Sequence, residues 1–148
     1  MAYTDLLKGR YSEPQRTYFV TSITHQRIPV FSDLYLARTL VQALKKSDSD
    51  KSTTTLAWVI MPDHFHWLFQ LEQKTDLSKV IKNIKGRSAY EINKQAGITG
   101  KLWQKQYYDR AIRINENIKQ IARYIIANPL RAGLVKNITD YPHWDAIW

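Results

Sequence analysis

The sequence predicts a single α+β domain built on an antiparallel sheet, and three observations carry that prediction. Segments rich in β-branched and aromatic residues alternate with helix-periodic segments in the order β-α-β-β-α-β-α. Two of the strands are separated only by a Pro-Asp pair, which makes them a hairpin and their pairing antiparallel. The length, 148 residues with 44% apolar content, suits one core and one domain over residues 1–148.

Residues 17–24 (TYFVTSIT) suit a strand. Ser32 can cap a helix over 33–46, with Leu34, Leu36, Ala37, Leu40, Val41 and Leu44 on its apolar side. The run 45–55 (KKSDSDKSTTT) reads as an exposed loop too short to divide domains. Residues 55–61 form a second strand, Pro62 and Asp63 the turn, and His64–Leu71 a third strand. Asp76 can cap a helix over 77–95, with Leu77, Val80, Ile81, Ile84 and Ile92 periodic. Gly86 weakens its middle by about 1 kcal/mol relative to alanine. Gly97 and Gly100 mark the following loop, and 107–114 is a fourth strand. Asn115 opens a last helix to Asn128, where Pro129 favours termination. The last twenty residues read as irregular or briefly helical, anchored by Trp144 and Trp148.

The first six elements match a split βαβ, or ferredoxin-like, arrangement. The expected architecture is a four- to five-stranded antiparallel sheet with helices on one face and an added C-terminal helix. That fold hosts many functions and decides none.

Composition narrows the function. With no cysteine, disulfides, thiolate metal sites and cysteine nucleophiles are excluded. No run of 18 apolar residues is present, so no membrane span is expected. The first residues lack the apolar stretch of a secretory signal, which points to the cytoplasm. Lys and Arg total 22 against 13 acidic residues, a formal charge of +9. An excess of this size in a small domain favours a polyanionic partner, and association with nucleic acid is expected. Arg10, Arg16, Lys82, Lys85 and Arg87 are candidate DNA contacts, since basic residues cluster there. Five Trp and nine Tyr add rings that can stack on unpaired bases, although most aromatics in any domain are core.

The triplet His64-Phe65-His66 opens the third strand. Alternation places His64 and His66 on one face and Phe65, Trp67 and Phe69 on the other. Two imidazoles at this spacing can hold one divalent ion, without selecting which. Taken alone, two solvent-facing histidines are the ordinary reading. Two other site types do not fit. A histidine-triad hydrolase needs a third histidine where Leu68 stands, and no second HxT or HxS motif accompanies His25 or His143.

The last helix reads NENIKQIARYIIANP. Ile118, Ile121, Ala122 and Ile125 form its apolar stripe, and Gln120, Tyr124 and Asn128 form a row beside it. Without the histidines, an ordinary helix with a half-buried tyrosine and a capping asparagine is the better reading. With them, the set makes a chemically sensible phosphoryl-transfer site: a cation grips the phosphate and a tyrosine attacks it.

Four pieces in order (TYFVTSITHQR, AWVIMPDHFHWLFQL, LWQKQYYDRAIR and ARYIIANPLRAGLV) resemble the REP-associated tyrosine transposases, a branch of the bacterial single-tyrosine HUH transposases. The resemblance covers most of the chain. It implies metal binding by His64 and His66 and a catalytic Tyr124. Related insertion-sequence transposases place a further amide ligand four residues after the tyrosine, which is Asn128 here, where those relatives usually carry glutamine. It further implies Mg²⁺ or Mn²⁺, and cleavage of single-stranded DNA beside hairpin-forming repeats. The implied product is a 5′-phosphotyrosine link with a free 3′-hydroxyl, made by a monomer or a homodimer. The bacterial setting would be nucleoid-associated.

Tyr107 and Tyr108 compete for the nucleophile role, since adjacent strand residues face opposite ways and one could reach the metal; packing or base stacking is the expected role. Two other function classes stay open, a non-catalytic single-stranded nucleic-acid-binding module and a hydrolytic single-strand nuclease. The third strand lacks the Arg/Lys-Gly-aromatic pattern of an RNA-recognition motif.

Overall fold

The computed structural model describes residues 16–72 and 74–148. Its five strands are β1 (Thr17–Ile23), β2 (Thr53–Met61), β3 (His64–Leu71), β4 (Tyr108–Ala111) and β5 (Trp144–Ala146). Its helices are α1 (Leu34–Ser49), α2 (Leu77–Ala96), α3 (Ile118–Ile126) and the short α4 (Asn128–Arg131). The strands form one antiparallel sheet in the order β4-β1-β3-β2-β5. The expected α+β fold is therefore present, with five strands.

β3 lies at the centre, paired with β1 on one side and β2 on the other, and it buries apolar residues on both faces. Phe65, Trp67 and Phe69 point to one side, where α1 and α2 cover them together with Leu40, Leu44, Ile81 and Ile84. Truncating a buried aromatic of this size costs about 3–5 kcal/mol. Leu68 points to the other side, joining Ala57, Val59 and Met61 under Ala122 and Ile125 of α3. The two predicted helices thus share one face, and the added C-terminal helix packs on the opposite one. No described helix is long and apolar enough to cross a membrane.

Several boundaries depart from the sequence expectation. Asp33, not Ser32, caps α1, its carboxylate accepting from the Tyr35 and Leu36 amides. The expected loop over 45–55 is mostly helix and strand. Asp48 at the end of α1 accepts from the Thr53 and Thr55 hydroxyls, which ties the helix end directly to β2. β4 is only Tyr108–Ala111, and Asn117 rather than Asn115 caps α3. Asn128 does not end α3 but begins α4, with Pro129 at its first turn, where the missing N–H costs no hydrogen bond. The C-terminal stretch supplies the edge strand β5. Trp144 is half-buried and donates to the Ile138 carbonyl, as an anchor should, whereas Trp148 is 52% exposed and is not one.

Candidate active site

His64 and His66 emerge on the α3 face of β3, with ring centroids 4.9 Å apart. Each Nδ1 is engaged. His64 Nδ1 lies 2.7 Å from Asp63 Oδ1, and His66 Nδ1 lies 2.7 Å from Thr21 Oγ1. A carboxylate only accepts, so His64 donates to Asp63 from a protonated Nδ1. Thr21 can donate or accept and leaves the His66 tautomer free to adjust. Such partners orient metal-binding imidazoles in general.

Asp63 is itself held. Arg27 Nη1 donates to its carboxylate at 3.2 Å, and its carbonyl accepts from the Thr24 amide and hydroxyl. Burial works against the charge of Asp63, but the bonds from His64 and Arg27 outweigh it and keep the carboxyl below its ordinary range. His66 is pulled down to about 4, first by burial and then by the charges of His64 and Arg131. It is therefore neutral near pH 7, as a ligand must be. Phe19 packs against its ring at 5.4 Å between centroids.

α3 lays its apolar stripe on β2 and leaves Tyr124 65% exposed at the border of the contact. The Arg131 guanidinium sits 3.8 Å above the Tyr124 ring centroid. The same side chain donates from Nη2 to Asn128 Oδ1 at 2.9 Å. Tyr124, Asn128 and Arg131 therefore form one cluster, and the Arg131 charge reaches His66 on the sheet beneath. An open groove of about 600 Å³ runs beside it, lined by Phe19, Arg110, Asn117, Gln120 and Tyr124.

The competing tyrosines separate by face. Tyr108 stands opposite Thr21, which stands opposite His66, so all three share one row and one face of the sheet. Tyr108 is 59% exposed. Tyr107 packs against the main core, with Lys85 Nζ 5.5 Å from its ring centroid.

The described candidate DNA contacts, Arg16, Lys82, Lys85 and Arg87, are not brought to this site. Arg10 lies outside the described residues. Arg16 is half-buried at the start of β1, where its carbonyl accepts from the Leu71 amide. Lys82 and Arg87 are exposed and line a groove of about 450 Å³ between α1 and α2, on the sheet face opposite the histidines. Lys85 is committed to the chain, donating to the carbonyls of Gln104, Lys105 and Gln106. Burial, and after it the charge of Lys101, pull its ammonium down to about 8. The cations on the histidine face are others, Arg110 and Arg131 among them.

Sequence reading missed Thr21, Asp63 and Arg131. Asp63 had been read as turn chemistry only, although its place beside His64 is visible in the sequence. Thr21 becomes relevant only through its pairing with His66 across strands. Arg131 follows Tyr124 by seven residues, two helical turns, which is a legible spacing.

Comparison with known proteins identifies the family. The family model described as "Transposase IS200 like" matches residues 13–128. A REP-associated tyrosine transposase of Escherichia coli is 26% identical over 126 residues, covering 84% of this chain and 72% of its own. A Haemophilus influenzae protein provisionally given the same description is 25% identical over 136 residues, covering 85% and 77%. A solved structure of a REP-associated tyrosine transposase bound to a REP hairpin superposes with a TM-score of 0.75 at 27% identity, covering 91% of this chain and 79% of that one. The chain belongs to the IS200-like transposase family, the DNA-cleaving and strand-transferring enzymes that include the REP-associated tyrosine transposases it resembles.

Proposed function

We propose that this transposase cleaves and rejoins single-stranded DNA beside a hairpin through a 5′-phosphotyrosine on Tyr124, aided by Mg²⁺ or Mn²⁺ held by His64, His66 and Asn128. The observation that carries the reading is the cluster of Tyr124, Asn128 and Arg131 on the sheet face that bears both imidazoles. The REP hairpin bound by the structural neighbour supports the choice of DNA.

The residues fit a divalent ion. Neither histidine Nε2 has a hydrogen bond among the described residues, and both Nδ1 atoms are oriented by partners. Among the described residues no group of three or more His, Cys, Asp or Glu could hold a metal, and the Asn128 amide oxygen is the further protein donor proposed here. Two imidazoles and an amide leave positions for water and phosphate oxygens, as Mg²⁺ and Mn²⁺ sites require. When bound, the ion would neutralise charge on the scissile phosphate.

The chain's own groups do the rest. Tyr124 Oη attacks phosphorus and loses its proton. The bond from phosphorus to the 3′-oxygen breaks, and that oxygen leaves as a hydroxyl after taking up a proton. The 5′-phosphate is then esterified to Tyr124, and a later 3′-hydroxyl reverses the exchange without an external energy source. α3 fixes the phenol on a rigid element, which limits the orientational cost of the attack.

Tyr108 is the second candidate nucleophile because it shares the His66 row. Denaturing gels with hairpin-bearing oligonucleotides and Mn²⁺ separate the two. Tyr124→Phe should abolish the covalent adduct while leaving DNA binding, and Tyr108→Phe should retain it. The opposite pattern would transfer the role to Tyr108. Cleavage without any adduct would favour a hydrolytic nuclease.

A further inference from the structure

Arg131 is an exposed cation with an unusual set of neighbours. Its guanidinium covers the Tyr124 ring and one of its N–H groups is given to Asn128. No carboxylate pairs with it among the described residues. A guanidinium has five N–H donors, and stacking on a ring uses none of them, so four are left for another acceptor. An exposed cation over an aromatic ring gains only about 0.5–1 kcal/mol, too little to explain an unpaired charge that repels a protonated His66.

The position is also fixed. Pro129 is buried, and the Arg131 amide donates to the Ala127 carbonyl, so α4 continues from α3 and aims Arg131 back over Tyr124. A phosphate presented to Tyr124 Oη would lie beside this guanidinium, whose fork geometry suits two phosphate oxygens.

We infer that Arg131 is a further catalytic residue, binding the non-bridging oxygens of the phosphate that Tyr124 attacks. The inference rests on the strand-transfer reading above. The same side chain stacks on the Tyr124 ring and donates to the Asn128 oxygen. Phosphate binding would draw the guanidinium toward the substrate and release Asn128 for the cation. No bond is made or broken at Arg131; it offsets charge on the equatorial oxygens as the 3′-oxygen departs.

Single-turnover adduct formation on a hairpin oligonucleotide, together with a Mn²⁺ titration of the DNA-free protein, tests this. Arg131→Ala should slow adduct formation by roughly 10²–10³-fold. It should leave Mn²⁺ affinity unchanged or tighter, since Asn128 is freed and a repelling charge removed. Arg131→Lys, which keeps a point charge without the fork, should fall between alanine and wild type. An alanine variant reacting at the wild-type rate overturns the inference. So does a parallel loss of Mn²⁺ affinity, which would make Arg131 a positioning residue for Asn128, or a lysine variant no faster than alanine. If the wild-type protein forms no Tyr124 adduct, the strand-transfer reading falls instead.

Discussion

Lowering the pH should weaken the metal-free protein through His66, and the size of the effect follows from its surroundings. Burial, the charge of His64 and the charge of Arg131 bring its pKa from 6.5 to about 4. Each unit corresponds to about 1.4 kcal/mol, so the difference sets a ceiling of about 3 kcal/mol. The sign is settled by which state binds the proton. Above pH 6.5 both folded and unfolded chains are neutral here and no effect arises. Between 6.5 and about 4 the unfolded chain takes up a proton that the folded one refuses, so stability falls as pH falls. Below about 4 both are protonated and the loss levels off. Urea unfolding in EDTA at several pH values from 7.5 to 4, comparing wild type with His66→Gln, isolates the residue. His143 is also held low, by burial and then by Arg38, but it is present in both proteins and cancels in the difference. The wild type should lose up to about 3 kcal/mol more than the variant across this window. Equal pH dependence in the two proteins would refute the argument, because it would mean that His66 is protonated as readily in the fold as out of it.

Two further outcomes are expected. Asp63→Asn and Thr21→Val remove the groups that orient the imidazoles and should weaken Mn²⁺ binding about 10–100-fold in a calorimetric titration; unchanged affinity in both would show that these hydrogen bonds do not organise the site. Lys85→Met strips three loop carbonyls of their shared donor and should cost about 1–3 kcal/mol in denaturant unfolding, with little change in DNA affinity. A large loss of DNA affinity with normal stability would return Lys85 to the DNA contacts.

The sequence determined the elements whose signal is local. Alternation in HFHWLFQL separated the histidines from the aromatic row, and the structure buries that row under α1 and α2. Asp76 caps α2 as its position before a periodic run requires, its carboxylate accepting from the Lys79 amide. Gly97 closes that helix at φ 68°, where a residue without Cβ avoids strain. The stripe of α3 and the place of Tyr124 beside it were equally legible, because helical spacing alone fixes them.

Tertiary structure decided what depends on partners distant in the chain. β5 has three residues and no strand pattern of its own; it exists because β2 offers an unpaired edge. Thr21 meets His66 only through strand register, and Tyr108 joins the same row for that reason. The run 45–55 looked like a loop because its polar residues lack an apolar stripe, yet Asp48 finds its acceptor role only once β2 lies alongside. The basic residues clustered in sequence around 82–87 went to the face away from the histidines. Arg131 stands over the Tyr124 ring by local spacing, but its place above the histidine face comes from the docking of α3 on β2. Charge along a chain sets the sign of the field, and only the fold says which cation stands over which group.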